Sequence, residues 1–140
     1  LAGEAQDFLE AENYFRAEVS SPDRSADEIT EGCCVAARAA RLRGAAVTFF
    51  KYTSKAITGD GCSEICCELG HFYEETGDFE EAAVWYYNAA YETQPVLALR
   101  SSEEEPLQGL IRCYEQLGLP AQVRSYAEEL KHRQNEKTDN

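Results

Sequence analysis

The chain has 140 residues, 44% of them hydrophobic, and 26 acidic against 13 basic side chains give it a formal charge of −13 at pH 7. A chain of this length buries about 68–70% of the surface its unfolded form exposes, enough for one domain that folds without staples. The charge excludes nucleic acid and anionic membrane surfaces as partners, since both are held through clustered Lys and Arg, and no run of about 20 apolar residues is present to cross a bilayer.

Taken in chain order, the apolar periodicity predicts seven helices, near residues 4–19, 25–41, 44–58, 63–76, 79–93, 103–117 and 120–133. The first opens on Gln6-Asp7-Phe8-Leu9-Glu10-Ala11, an Asp-x-x-Glu cap, and runs on to Tyr14-Phe15. Pro22 separates it from the second, which Ser25 and Glu28 open with a capping box. Gly59-Asp60-Gly61 punctuate the end of the third.

The fourth and fifth helices form the best-defined unit, SEICCELGHFYEETGDFEEAAVWYYNAAYETQP over residues 63–95. Gly70 and Ala82 are small where two antiparallel helices approach closely, and Tyr73, Phe79 and Tyr86 fill the space on either side. Gly77 suits the left-handed residue after a helix end, and Asp78 with Glu81 caps the next helix. Ser102 and Glu105 repeat the capping signal before the sixth helix, and the polar residues 134–140 form a flexible tail behind a single domain of residues 1–133.

With Ala82 as the marker of each second helix, Ala11, Ala46 and Val123 are its equivalents, spaced 35, 36 and 41 residues apart. The chain therefore starts halfway through a repeat and continues with three more, the last set off by a longer connection at Val96 to Arg100. The unit at residues 27–57 departs most from the pattern, with Cys34 at the position of Gly70 and Ala37 at that of Tyr73.

Leu69-Gly70, Tyr73, Gly77-Asp78-Phe79, Ala82, Tyr86 and Ala89 resemble the core of a tetratricopeptide repeat, whose period is about 34 residues. Cys66 stands where that pattern usually has Trp, and Pro95 closes the unit. The resemblance implies an all-α solenoid of about seven antiparallel helices, right-handed and gently curved. DFLEAENYFRAEV, SEICCELGHFYEETGDFEEAAVWYYNAA and IRCYEQLG are in addition similar to the repeat region that follows the catalytic domain of certain bacterial family 2 glycosyltransferases. That similarity implies context rather than chemistry, because the Asp-x-Asp motif of their nucleotide-sugar site is absent from this chain.

In repeats of this kind the first helix of each unit lines a concave groove. Here that face carries Glu64, Cys67, His71 and Glu74 in the best unit, Glu105, Gln108, Arg112 and Glu115 in the last, and Glu28, Glu31, Val35 and Arg38 in the weak one. The groove is expected to be mainly acidic and to take a basic or neutral segment, from a partner or from the parent chain's own catalytic domain. A solvated acidic face with no ligand is the competing reading. The clamp that grips chaperone carboxylates with Lys, Asn and Arg is not expected, since acids, Cys67 and His71 hold the matching positions.

Two chemical readings stand beside these. Cys62, Cys66, Cys67 and His71 fall within ten residues and offer metal ligands, although successive helical side chains diverge. Cys67 with His71 could form a thiol nucleophile and base, but mid-helix positions leave no amide for an oxyanion. No isolated pair of carboxylates suggests glycoside chemistry. No catalytic residue, metal or cofactor is therefore expected.

The vicinal pairs Cys33-Cys34 and Cys66-Cys67 cannot bridge internally on a helix, so the six cysteines are read as reduced and the protein as cytoplasmic. Within Trp85-Tyr86-Tyr87, Tyr86 belongs to the core, and at least one of its neighbours packs between repeats or lies exposed. The absence of Met and the opening on Leu1, without a signal peptide, lead to the expectation of a piece of a longer polypeptide. The helix at 4–19, lacking its partner, would then carry an open apolar stripe of Phe8, Ala11 and Phe15 able to self-associate. The two functions expected are an accessory scaffold of a glycosyltransferase and a free-standing adaptor.

Overall fold

The computed structural model of the protein describes residues 25–57, 62–93 and 104–139. The expected helix at 4–19 with its apolar stripe, the Gly59-Asp60-Gly61 run, Pro95 and the connection from Val96 lie outside the described residues. The other six expected helices are present: α1 (Ala26–Leu42), α2 (Ala46–Ile57), α3 (Ser63–Glu75), α4 (Phe79–Tyr87), α5 (Glu105–Gln116) and α6 (Pro120–Asp139), and a π-helical turn, Asn88–Glu92, prolongs α4. Among the described residues there is no strand, so the fold is all-α.

The helices pair into three hairpins, α1 with α2, α3 with α4, and α5 with α6. One turn closes all three. Gly44, Gly77 and Gly118 each adopt a left-handed backbone, with φ of 76°, 84° and 70°. Each glycine donates to the third carbonyl back, and the following residue donates across the turn, Ala45 to Ala40, Asp78 to Tyr73 and Leu119 to Tyr114, at 2.8–3.0 Å. A Cβ at any of the three would meet nothing within 4 Å. The glycines are thus required by backbone conformation and not by space. Gly44 belongs to the turn, which is why α2 begins at Ala46 and not at the expected residue 44.

Capping follows local chemistry. The Ser25 hydroxyl accepts from the Glu28 amide at 3.2 Å and the Asp78 carboxylate from the Glu81 amide at 3.3 Å, as the capping boxes require. Ser102 lies outside the described residues; α5 has Glu104 at its cap, whose side chain makes no capping bond to the helix, and Pro106 in its first turn.

The turn glycines correct the register of the first hairpin. Gly44 precedes Gly77 by 33 residues, which aligns Ala37 with Gly70, Phe49 with Ala82, and Cys33-Cys34 with Cys66-Cys67. Ala46 is exposed, so it is not the equivalent of Ala82; the alanine-rich stretch before and after Gly44 offers several small residues at nearly the right spacing. Here the bulk has changed sides: α1 presents the buried Ala36, Ala37 and Ala40, and α2 supplies Phe49 and Tyr52.

Two apolar clusters follow. The first joins α1, α2 and α3, with Phe49 stacked on Phe72 at 4.8 Å and Phe50 edge-on to Phe72. The second joins α4 and α5 through Ala82, Ala83, Tyr86, Leu107, Leu110 and Cys113. Of the expected core positions, Leu69, Gly70, Ala82, Tyr86 and Ala89 are buried, while Tyr73 and Phe79 are half-buried against the clusters. Trp85 packs on the first cluster and Tyr87 is exposed, so each of the two readings of that pair holds for one residue.

The expected tail at 134–140 is helical as far as Asp139. Pairs four residues apart, Arg133 with Glu129 at 2.9 Å and His132 with Glu136 at 3.1 Å, extend α6 beyond residue 133. Arg133 also lies 5.5 Å from the Tyr91 ring centroid of the preceding hairpin, and Gln134 donates at 3.4 Å to Glu104, the cap residue of α5 in its own hairpin.

Candidate functional site

The first helices of the hairpins, α1, α3 and α5, lie side by side, and their charged residues meet along that shared face. Arg38 and Arg41, one turn apart on α1, direct Nε donors at the two oxygens of Glu68 on α3, at 2.8 and 2.9 Å. Glu68 is 1% exposed. A carboxylate so buried requires partners of this kind to offset its desolvation. Arg41 also reaches Glu75.

One turn along α3, His71 pairs through Nε2 with Glu105 of α5, and its Nδ1 stands 2.7 Å from the Tyr86 hydroxyl. That hydroxyl donates to Glu74 Oε1 at 2.6 Å. Arg112 of α5 completes the chain with a two-pronged contact, Nε to Glu74 Oε2 at 2.7 Å and Nη2 to Oε1 at 3.0 Å. Desolvation opposes the Glu74 carboxylate, but the Arg112 and Tyr86 hydrogen bonds outweigh it and hold its pKa below the ordinary value. The His71 hydrogen bond does the same for Glu105. Burial, then Glu74, pushes the Tyr86 phenol up, so it stays a donor at neutral pH.

Of the eight residues expected to line the groove, His71, Glu74, Glu105 and Arg112 are brought together in this network. Glu64 and Cys67 are withdrawn into the buried side of α3. Gln108 and Glu115 remain exposed on α5. On α1, Arg38 joins the network, Glu28 stays at the Ser25 cap, and Glu31 and Val35 are half-buried. Sequence reasoning missed Glu68, Arg41, Glu75 and the Tyr86 hydroxyl. A signal existed for the first two: a glutamate between Cys66-Cys67 and Leu69-Gly70 is flanked by core residues, and Arg38 with Arg41 is a pair on one helical face.

The thiol reading pairs Cys67 with His71. Both nitrogens of His71 are engaged elsewhere, and burial, then Glu105, pushes the Cys67 thiol up, away from the thiolate needed for attack. Among the described residues no three His, Cys, Asp or Glu side chains converge as metal ligands.

A second surface lies where α4, α5 and α6 meet. Glu80, Val84 and Tyr87 of α4, with Tyr114, Leu119 and Tyr126, line an open groove of about 620 Å³. Tyr114 and Tyr126 stack in parallel, with centroids 5.7 Å apart and planes within 4°. Val84, Tyr87 and Leu119 are 54%, 41% and 40% exposed. Aromatic and aliphatic side chains gathered beside one carboxylate form a surface suited to an apolar segment that carries a positive charge.

No protein-family model matches the chain, and neither a curated protein nor a solved structure is found to match it. The class defined by fold and surfaces is that of an all-α protein built from similar helical hairpins, in which no helix of the described residues is long and apolar enough to cross a membrane.

Proposed function

We propose that the chain is a non-catalytic interaction and scaffold domain of the tetratricopeptide-repeat kind, serving in the cytoplasm as the accessory C-terminal region of a bacterial family 2 glycosyltransferase. The observation that carries this reading is the recurrence of one hairpin, closed at Gly44, Gly77 and Gly118 by the same hydrogen bonds. Hairpins that contact mainly their neighbours build an extended surface. The charged layer supports a scaffolding role, because Arg38, Arg41, His71 and Arg112 tie the first helix of each hairpin to the next. The groove around Tyr87 and Tyr114 supplies a docking surface, and the similarity of three strings to the glycosyltransferase repeat region supplies the parent. The free thiols suit a reducing compartment.

The test is the intact mass of the polypeptide carrying this sequence in its native cells, by affinity capture and mass spectrometry. A mass far above 15.7 kDa, with a nucleotide-sugar-binding domain upstream, is expected. A mass near 15.7 kDa would sink the accessory role.

One observation favours the adaptor reading: Gln108 and Glu115 remain exposed on α5 of a chain of net charge −13. An adaptor would hold a basic or neutral segment there and release it with rising salt. The isolated chain titrated calorimetrically with a Lys-rich peptide at low and high salt separates the two readings.

A further inference from the structure

Cys62 is the N-cap of α3, the place that Ser25 holds before α1 and Asp78 before α4. Its sulfur accepts the Ile65 amide at 3.4 Å and stands 3.4 Å from the sulfur of Cys34, which comes from the middle of α1. Both side chains are buried. A thiol is a weaker acceptor than a hydroxyl or carboxylate, so capping alone does not account for a cysteine at this point. We propose that Cys34 and Cys62 form a dithiol that hydrogen peroxide converts to a disulfide, joining the start of α3 to α1.

The geometry favours closure. A disulfide needs the sulfurs about 2.05 Å apart, and the remaining approach of about 1.4 Å is within reach of small side-chain rotations. Cys62 has an extended backbone, with φ −156° and ψ 161°, and precedes the helix instead of lying inside it. Its sulfur can therefore turn towards Cys34 at the loss of one weak cap.

Cys62 is the attacking sulfur. It lies at the positive end of α3, and the Cys34 thiol and the Ile65 amide, acting against burial, hold its pKa below that of a free thiol; the contact with Cys62, followed by burial, pushes Cys34 up. The Cys62 thiolate attacks one peroxide oxygen, the O–O bond breaks, and the departing hydroxide takes a proton to become water, leaving a sulfenic acid. The Cys34 sulfur then attacks the Cys62 sulfur. The S–O bond breaks as the S–S bond forms, and the Cys34 proton leaves with the hydroxide as a second water. Two thiols lose two hydrogens and two electrons, and one peroxide is reduced to two waters. Peroxide is small enough to reach a buried sulfur during local opening of the helix end.

The experiment treats the folded chain with stoichiometric hydrogen peroxide, then alkylates all remaining thiols in denaturant. Oxidation is expected to lower the mass by about 2 Da before alkylation and to leave four of the six cysteines alkylated, with full alkylation restored by reductant. Fragmentation of the non-reduced digest should map the cross-link to Cys34 and Cys62. Cys62→Ser, which retains a capping oxygen, and Cys34→Ser should each abolish it, while Cys33→Ser should not. Six alkylated thiols after treatment would overturn the proposal, as would a cross-link through Cys33, Cys66 or Cys67, or one that forms only in denaturant. Because the mapping is done on the unaltered chain, it decides the matter even where a variant fails to fold.

Discussion

The Tyr86 hydroxyl donates a 2.6 Å hydrogen bond to Glu74 Oε1, and through it the core of the central hairpin reaches the charged face formed by the first helices. The ring of Tyr86 is fully buried among apolar groups, yet its tip connects to His71, Glu74 and, beyond Glu74, Arg112. One residue thus sets both the packing of α4 and the geometry of the network. Tyr86→Phe keeps the ring and leaves Glu74 and His71 short of a partner, which is expected to cost about 1–3 kcal/mol, the usual penalty for an unmet buried polar group. Tyr86→Ala adds the cavity and should cost about 3–5 kcal/mol. Urea denaturation of the two variants checks the order.

The same ring makes two glycines indispensable. It lies between Gly70 of α3 and Gly109 of α5, where an added Cβ would stand 2.7 Å and 2.6 Å from ring carbons. In an open helix Gly→Ala stabilises by about 1 kcal/mol. Here overpacking wins, because the ring is confined from both sides, and Gly70→Ala or Gly109→Ala is expected to destabilise by about 1–3 kcal/mol. Introducing Tyr86→Leu alongside either alanine should remove most of the clash, so a double-mutant cycle should report a coupling above about 0.5 kcal/mol. Additive effects would show that the ring is not the obstacle.

Glu68 anchors the other half of the charged face. It is buried with Arg38 and Arg41 on its two oxygens, and replacing one member of such a group strands the rest. Glu68→Gln is expected to destabilise by about 3–5 kcal/mol, as for other broken buried pairs. Arg38→Gln should cost less than Arg41→Gln, since Arg38 is the more exposed of the two arginines. Thermal melts of the three variants at fixed pH give the ranking.

The pH dependence follows from Glu74 and Glu105. Both have folded pKa values held below the ordinary carboxyl value, Glu74 by Arg112 and Tyr86 against desolvation and Glu105 by His71. A depressed folded pKa gives stability that is fully present above the unfolded value of about 4.3 and is lost as pH falls through the folded one. The urea midpoint should therefore hold down to about pH 5 and decline below it. Glu74→Gln and Glu105→Gln should be less stable at neutral pH and show a flatter acid limb. An unchanged acid limb in both variants would assign the decline to other carboxylates.

How much was legible in the sequence depended on how local the cause is. Gly77, Asp78 and Glu81 disclose their turn because left-handed glycine and capping are decided within a few residues, and the same holds for Ser25 with Glu28. The register of the first hairpin was not legible, since Ala36, Ala37, Ala39, Ala40, Ala45 and Ala46 leave the small-residue pattern ambiguous by one helical turn. The face bearing His71, Glu74, Glu105 and Arg112 could be read from helical spacing, but the pairing of Arg38 and Arg41 with Glu68 depends on how two helices are rotated against each other. The groove escaped for a similar reason. Tyr87, Tyr114 and Tyr126 come from three helices, and the stacking of the last two follows only from the hairpin they share.

The two exposed surfaces can be told apart without harming the fold. Gln108 and Glu115 project from α5 outside the network, and Val84, Tyr87 and Leu119 are exposed in the groove, so substitutions at any of them should change stability by no more than about 0.5 kcal/mol. If a basic segment lies along α5, Gln108→Lys with Glu115→Lys should weaken it about tenfold and reduce the salt dependence, while Tyr87→Ser with Leu119→Ser leaves it alone. If an apolar partner surface fills the groove, the serine pair should lose most of the affinity and the lysine pair little, because buried aromatic and aliphatic anchors carry most interface energy. Glu74→Lys would be uninformative in either case, since it breaks the Arg112 and Tyr86 contacts that hold α3, α4 and α5 together. Calorimetric titration of both double variants against a Lys-rich peptide and, should the accessory reading hold, against the catalytic domain it expects upstream measures all four combinations, and equal binding by both variants would remove both surfaces from consideration.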